Sequence, residues 1–250
     1  MPPLAGVSVL VTRPAHQAGK LIDGIESAGG HAVAFPVIEI GDVTDDAHLE
    51  SVIAHLAGYD IAIFVSPNAV EKAMERIGKL PQRPRCAAVG KATLAALEAR
   101  GAANVLVPGS RYDSEGLLEL PELKSVEGKK IVIFRGEGGR ELLGDELKSR
   151  GAGVDYAACY RRLIPESHAP LFEADIQAVT ATSGESVRNL CEMLKDAAWI
   201  RKKPIFVTHE RIGGIARDAG FSLVVVTESG DEGMLRGIKK WFEAGENGHG

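Results

Sequence analysis

The stretch "IAIFVSPNAV", Ile61 to Val70, decides the fold. A short apolar run, Ile61 to Val65, leads straight into Ser66-Pro67-Asn68. Such a run, bounded by residues that favour turns and caps, reads as a buried strand that ends where a helix begins, with Ser66 or Asn68 as the cap. A related phrase, "IQAVTATSGESV" (Ile176 to Val187), returns in the second half. The strand-to-helix step is therefore used at least twice.

The rest of the chain repeats in the same way. "VSVLVT" leads to a helix through Leu21, Ile22 and Ile25, then Gly29-Gly30 and the strand "HAVAFPV". "KKIVIF" leads to a helix through Leu142, Leu143 and Leu147, then Gly151 and the strand "GVDYAACY". Arg13 and Arg135 stand 122 residues apart, as do Leu21 and Leu143, Ile25 and Leu147, and Gly29 and Gly151. Ser66 and Ser183 stand 117 apart, as do Val70 and Val187, and "SEGLL" (Ser114 to Leu118) and "DEGML" (Asp231 to Leu235) share that spacing. Between them, "CAAVGKATLAALEARGA" and "PIFVTHERIGGIARDAG" match with a residue or two of slippage. Alternating strand and helix patterns predict parallel sheets flanked by helices. The order A1-B1-A2-B2 predicts two domains built from two copies of one α/β unit. At this level A1 can pack with B1 and A2 with B2, or A1 with B2 and B1 with A2. The second choice needs two crossings, near "PVIEIGD" and "ACYRRLIP". Both stretches are apolar and strand-like rather than Gly/Ser-rich, which favours two strands side by side joining the domains.

Composition removes several function classes. The formal net charge of −5 argues against a nucleic-acid partner, and the basic runs "QRPR" and "WIRKK" are short enough to be solvated surface. No apolar run reaches the length of a membrane span. "MPPLAGVSVLVTRP" lacks the basic start of a leader, so a cytoplasmic protein is expected. Cys86, Cys159 and Cys191 form no C-x-x-C pair and read as reduced, mostly buried thiols. "RGEGGR" (Arg135 to Arg140) does not fit the dinucleotide fingerprint, and "HERIG" has Gly213 where a zinc-protease helix needs its second histidine. No cofactor and no metal are expected. The polar tail "EAGENGHG" is expected to fray.

The remaining candidates are loops at strand C-termini, where open α/β sheets form their ligand crevice and helix N-termini present N–H groups to anions. They are Thr12-Arg13-Pro14, Ser66-Pro67-Asn68, Gly90-Lys91-Ala92-Thr93, Arg135-Gly136, Thr182-Ser183-Gly184 and Thr208. Each alone is satisfied by an ordinary N-cap. Together, donor-rich and acid-poor rims on two facing domains predict a cleft for a polyanion, each charge-assisted bond contributing roughly 1.5–3 kcal/mol. Tyr160, beside Arg161 and Arg162, reads either as a junction residue with its ring buried and its hydroxyl wet, or as a hydroxyl aimed into that cleft.

The segments "VLVTRP", "FVSPNAV", "AAVGKAT", "VPG…SEGLL", "VIFRGEGGRELLGDELKSRGAGVDYAACYRR" and "VTHERIGGIARDAG…DEGMLRGI" occur in order, from about Val7 to Ile238. In that order and spacing the chain resembles the uroporphyrinogen-III synthase family. The resemblance implies a cofactor-free, monomeric, cytoplasmic enzyme of tetrapyrrole synthesis. It would convert linear hydroxymethylbilane to uroporphyrinogen III, with loss of water and inversion of ring D through a spiro intermediate. It also implies the crossed pairing: an α/β fold of two similar parallel-sheet domains, flavodoxin-like or Rossmann-like, the first discontinuous. Residues 1–36 with 166–250 would form that first domain, 42–158 the second, and 37–41 and 159–165 the linker strands. Tyr160 matches the tyrosine that assists departure of the hydroxyl; a phenol is protonated at neutral pH and can donate. Ser66, Thr93, Arg135, Gly136, Arg140, Ser183 and Thr208 match positions that contact substrate carboxylates, and the strand-end reading adds Thr12, Arg13 and Asn68. Many relatives read Gly-Pro-Thr-Thr where this chain has "VTHERI", so Thr208 carries a slip of one residue. The rival readings are a two-domain sensor that closes on a small anion without reacting, and a glycosyltransferase-like α/β enzyme, which would need an acidic metal motif.

Overall fold

The computed structural model describes residues 2–166 and 171–246. The chain begins with β1 (Ser8–Val11), α1 (Ala15–Ser27), β2 (His31–Ala34) and β3 (Glu39–Gly41). Next come α2 (Ala47–Ala54), β4 (Ile61–Phe64), α3 (Pro67–Ile77), β5 (Arg85–Ala88) and α4 (Lys91–Ala99). Two short helices, α5 (Ser114–Leu118) and α6 (Pro121–Lys124), precede β6 (Lys130–Gly136), α7 (Leu142–Ser149) and β7 (Gly153–Leu163). The chain ends with β8 (Ala178–Ala181), α8 (Gly184–Met193), β9 (Ile205–Val207), α9 (Glu210–Asp218), β10 (Val224–Val226) and α10 (Asp231–Glu246).

These elements form two compact units, Met1–Glu39 with Leu163–Gly250, and Ile40–Arg162. The first holds a sheet of order β10-β9-β8-β1-β2, with each neighbouring pair parallel. Counted along the chain within that unit, this is the doubly wound order 2-1-3-4-5. The second holds β3-β7-β6-β4-β5, and β7-β6-β4-β5 is parallel throughout. Counted from β6, those four strands give 2-1-3-4, and Leu106, bridged in parallel to Ala87 beyond β5, takes the fifth place. The A1 segment thus packs with B2, and B1 with A2. The chain leaves one unit for the other inside β3 and again at the end of β7, and these strands are neighbours in the second sheet.

The repeat extends to single atoms. Ser66 (φ −159, ψ 162) caps α3 by accepting the Ala69 N–H, and Ser183 (φ −149, ψ 157) caps α8 by accepting the Ser186 N–H. Gly29 and Gly151 close the corresponding helices at φ +83 and +85, where a Cβ would be strained. Parallel strands covered by helices on both faces are buried along their whole length, as β4 and β8 are, which is why both read as unbroken apolar runs. Phe64 of β4 and Phe134 of β6 stack with ring centroids 4.8 Å apart. Such a pair contributes roughly 0.5–1.5 kcal/mol beyond burial.

Three expectations are corrected. The strand predicted through Val37 stops at Ala34, because Pro36 has no N–H to continue the ladder, although Phe35 and Val37 still donate to Val11 and Thr12 carbonyls. Leu142 is 45% exposed, so the apolar face of α7 begins at Leu143 and continues at Leu147. In the tail expected to fray, Glu243 to Glu246 continue α10; Asn247 to Gly250 lie outside the described residues. Among the described residues no helix is long and apolar enough to cross a membrane.

Cys86 and Cys159 are buried and Cys191 is partly exposed. Burial pushes the Cys86 thiol up to about 11 and the Cys159 thiol up to about 12, so both stay protonated near neutrality. A thiol reagent at pH 8 is expected to label one site in the native protein and three after unfolding; three rapid reactions without unfolding would contradict this packing.

Candidate functional site

In a doubly wound sheet the ligand crevice opens at the carboxyl ends of the two strands where the order reverses. In the first unit those strands are β1 and β8, followed by Thr12-Arg13 and Thr182-Ser183. In the second they are β6 and β4, where β6 ends in Arg135-Gly136 and β4 is followed by Val65-Ser66.

A bulge shapes the second rim. β6 and β7 pair in register from Lys130↔Gly153 to Arg135↔Ala158, and then Gly136 faces Tyr160, so Cys159 is an extra residue. A bulge can place consecutive side chains on one side of a sheet. Cys159 and Tyr160 both enter the cluster that holds Phe64 and Phe134. Strict alternation would instead have sent Tyr160 towards the side occupied by Val154 and Tyr156. The bulge is tied down by the Cys159 thiol, which donates to the Arg135 carbonyl at 3.3 Å, and by the Glu137 N–H, which donates to the Tyr160 carbonyl at 2.8 Å.

The Tyr160 ring then lies against Gly136. A Cβ on Gly136 would stand 2.8 Å from two ring carbons, so only glycine leaves room. Tyr160 is 1% exposed, and its hydroxyl lies 3.1 Å from Ser66 Oγ. The same Oγ accepts the Ala69 N–H at 3.1 Å. Ser66 therefore both starts α3 and holds the phenol, which is what a hydroxyl at the end of a buried strand does here. From the other side Arg162 Nη2 donates to the Tyr160 oxygen at 3.4 Å, with its guanidinium 5.7 Å from the ring centroid.

Arg135 completes the rim. Its guanidinium stacks 4.9 Å from the Tyr156 centroid and donates through Nη1 to the Arg140 carbonyl at 3.4 Å. The Tyr156 hydroxyl donates to the Glu141 carbonyl at 3.0 Å, which fixes that platform. These groups enclose a cavity of about 160 Å³, with Arg135, Arg140 and Arg162 set against one carboxylate, Glu137. Drug-sized ligands occupy roughly 300–1,000 Å³, so this cavity suits one carboxylate-bearing arm of a larger molecule.

Two larger hollows elsewhere have the wrong chemistry. One of about 560 Å³ includes Lys130, Gly153 and Tyr59, at the amino ends of β6 and β7. There burial and then the Asp155 carboxylate, which accepts from the Tyr59 hydroxyl at 2.7 Å, push that phenol up to about 12. Its proton is already engaged by the Asp155 carboxylate. Another of about 760 Å³ is faced by Glu115, Glu119, Glu141, Asp145 and Glu146 against Lys124 and Arg150, an acidic majority that disfavours an anion.

The other expected residues are more dispersed. Thr12 is fully buried, and its hydroxyl donates to the Thr180 carbonyl at 2.7 Å. Arg13 pairs with Asp231 at the start of α10. Asn68 and Thr93 are buried inside the first turns of α3 and α4, and the cap position of α4 is Gly90. Ser183 Oγ lies 2.8 Å from Ser186 Oγ. Thr208 is buried, and His209 occupies the cap position of α9, without a side-chain cap bond. His209 stands at its helix start where Ser66 and Ser183 stand at theirs. Arg162, Tyr156 and Glu137 line the cavity without having been singled out; the spacing of two between Tyr160 and Arg162 was the available signal. Among the described residues no cluster of three metal-ligating side chains occurs.

Residues 19–236 match the family model for uroporphyrinogen-III synthase HemD. The uroporphyrinogen-III synthase of Escherichia coli (strain K12) is 32% identical over 246 residues, covering 93% of this chain and 100% of that one. The uroporphyrinogen-III synthase of Synechococcus elongatus is 31% identical over 204 residues, covering 77% and 76%. Among solved structures, a mutant uroporphyrinogen III synthase from Thermus thermophilus matches with a TM-score of 0.61 at 19% identity, over 96% of this chain and 100% of that one. The uroporphyrinogen-III synthetase of Helicobacter pylori 26695 matches at 0.60 and 12% identity, over 94% and 99%. At those identities the two structures bear on the fold alone.

Gly136→Ala is expected to destabilise the protein by about 1–3 kcal/mol, because the new methyl overpacks the Tyr160 ring. Urea unfolding measures the loss; an unchanged midpoint would show that the ring does not press on Gly136.

Proposed function

The chain belongs to the uroporphyrinogen-III synthase family, and from that premise we propose how its residues carry the reaction. The protein is an enzyme that cyclises hydroxymethylbilane in tetrapyrrole biosynthesis. Its substrate carries eight carboxylates and a terminal hydroxymethyl group, so the site must supply many anion donors and one acid. In our reading the acid is Tyr160. Its hydroxyl gives a proton to the departing hydroxyl of the substrate, water leaves, and the pyrrole nitrogen's electron pair completes a reactive azafulvenium. Uncatalysed closure at the free end of ring D would give the type I isomer. Holding ring D so that its substituted carbon attacks first gives the spiro intermediate, which reopens and closes inverted. That outcome depends on positioning rather than on a strong nucleophile.

Carboxylates are bound, in this reading, by Arg135 and Arg140 with the Gly136 backbone, and by the Ser66 and Ser183 helix starts. Arg13 adds a charge at the first unit's rim. Thr12, Asn68, Thr93 and Thr208 are buried and act through their backbones, shaping the loops that carry the other donors. The cavity that holds Tyr160, Arg135, Arg140 and Arg162 is built within one unit of one chain, which supports action as a monomer, and three unpaired cysteines support a reducing, cytoplasmic setting. The observation that carries the assignment of the acid is the Tyr160 hydroxyl, held by Ser66 and Arg162 at the carboxyl edge of the second sheet.

The test generates hydroxymethylbilane in place and separates the cyclic products. The wild type is expected to give type III in excess of type I. Tyr160→Phe should lose about 10²-fold in turnover, the low end for a positioned acid. Ser66→Ala should lose about two- to tenfold, as for one hydrogen bond of about 0.5–1.5 kcal/mol. Unchanged turnover in both variants would overturn the assignment of this rim.

A further inference from the structure

We propose that Arg162 is a positioning residue that acts through Tyr160, stabilising the phenolate as the proton leaves; the inference rests on the acid role given to Tyr160 above. After the bulge at Cys159, β7 continues as strand to Leu163, so the period of two returns Arg162 to the side of Tyr160 on regular backbone. Arg162 Nη2 lies 3.4 Å from the phenol oxygen and Ser66 Oγ 3.1 Å from it. The two partners do different work. Ser66 is neutral and orients the hydroxyl. Arg162 is permanently charged, so it interacts weakly with a neutral phenol and strongly with a developing anion. Its contribution therefore belongs to the transition state and falls on kcat.

The step balances within the site. The Tyr160 O–H bond breaks and its proton joins the substrate's hydroxyl as the C–O bond breaks, releasing water. The pyrrole nitrogen's pair fills the gap, leaving an azafulvenium and a phenolate beside Arg162. When the closed ring regains aromaticity, its C–H proton returns to the phenolate. A competing role is a plain carboxylate clamp, which would act on KM whatever residue stands at position 160.

The experiment measures kcat and KM for Arg162→Gln, Arg162→Lys, Tyr160→Phe and the double variant Arg162→Gln/Tyr160→Phe, with hydroxymethylbilane generated in place and folding checked by thermal melting. Arg162→Gln is expected to lower kcat about tenfold with KM within about twofold, and to change kcat less than about twofold in the Tyr160→Phe background. Arg162→Lys keeps the positive charge and should recover most of the loss; it also serves if the Gln variant does not fold, since it should then keep kcat within about threefold of wild type with KM unchanged. Equal losses in both backgrounds, a KM effect alone, or failure of Lys to sustain kcat would overturn the proposal. Unchanged kcat in Tyr160→Phe would instead remove the acid role on which it stands.

Discussion

Room for one aromatic ring against one glycine sets the carboxyl edge of the second unit. Gly136 has no Cβ, so the Tyr160 ring can pack against it, and the ring then presents its hydroxyl to Ser66 and Arg162. The ring reaches that place only because Cys159 is an extra residue in β7. A single inserted position in a strand thus turns a side chain from one face of the sheet to the other, and with it the chemistry. The surrounding apolar cluster holds the arrangement in place, since a ring packed in a dense interior is not free to turn.

Duplication explains the scaffold, and its loss of symmetry explains the site. Both units have the same strand order, and each offers a capping serine at its switch point. The repeat spacing that relates Arg13 to Arg135 relates Ile38 to Tyr160 and Pro14 to Gly136. The first unit therefore has a buried aliphatic residue where the second has its phenol, and proline where the second has the glycine that admits it. Two copies of one strand-to-helix edge are present, and only the second carries a buried phenol.

Much of this was legible in the residues. The fixed spacings between Leu21 and Leu143, and between Ser66 and Ser183, gave the α/β repeat, and strand ends followed by Ser or Thr marked the rims. Other features depend on pairing between distant segments and leave no local trace. Nothing in "GVDYAACYRR" says that Cys159 is unpaired in the ladder; the alternation as written would put Tyr156 and Tyr160 on the same face. The pairing of repeats also stayed open from the residues alone, because both arrangements bury similar apolar faces. Local readings failed where a neighbour decided: Leu142 begins a helix outside its apolar face, and His209 rather than Thr208 sits at the cap position.

The central claim is that this edge, with Tyr160 at its centre, receives the reacting end of the substrate. A crystal structure with a non-cyclising linear tetrapyrrole analogue tests it most directly. The terminal oxygen is expected within hydrogen-bonding reach of Tyr160 Oη, with substrate carboxylates on the Arg135 guanidinium and the N–H groups beside Ser66. A ligand seated at the amino ends of the strands, near Lys130 and Tyr59, with Tyr160 untouched, would contradict it.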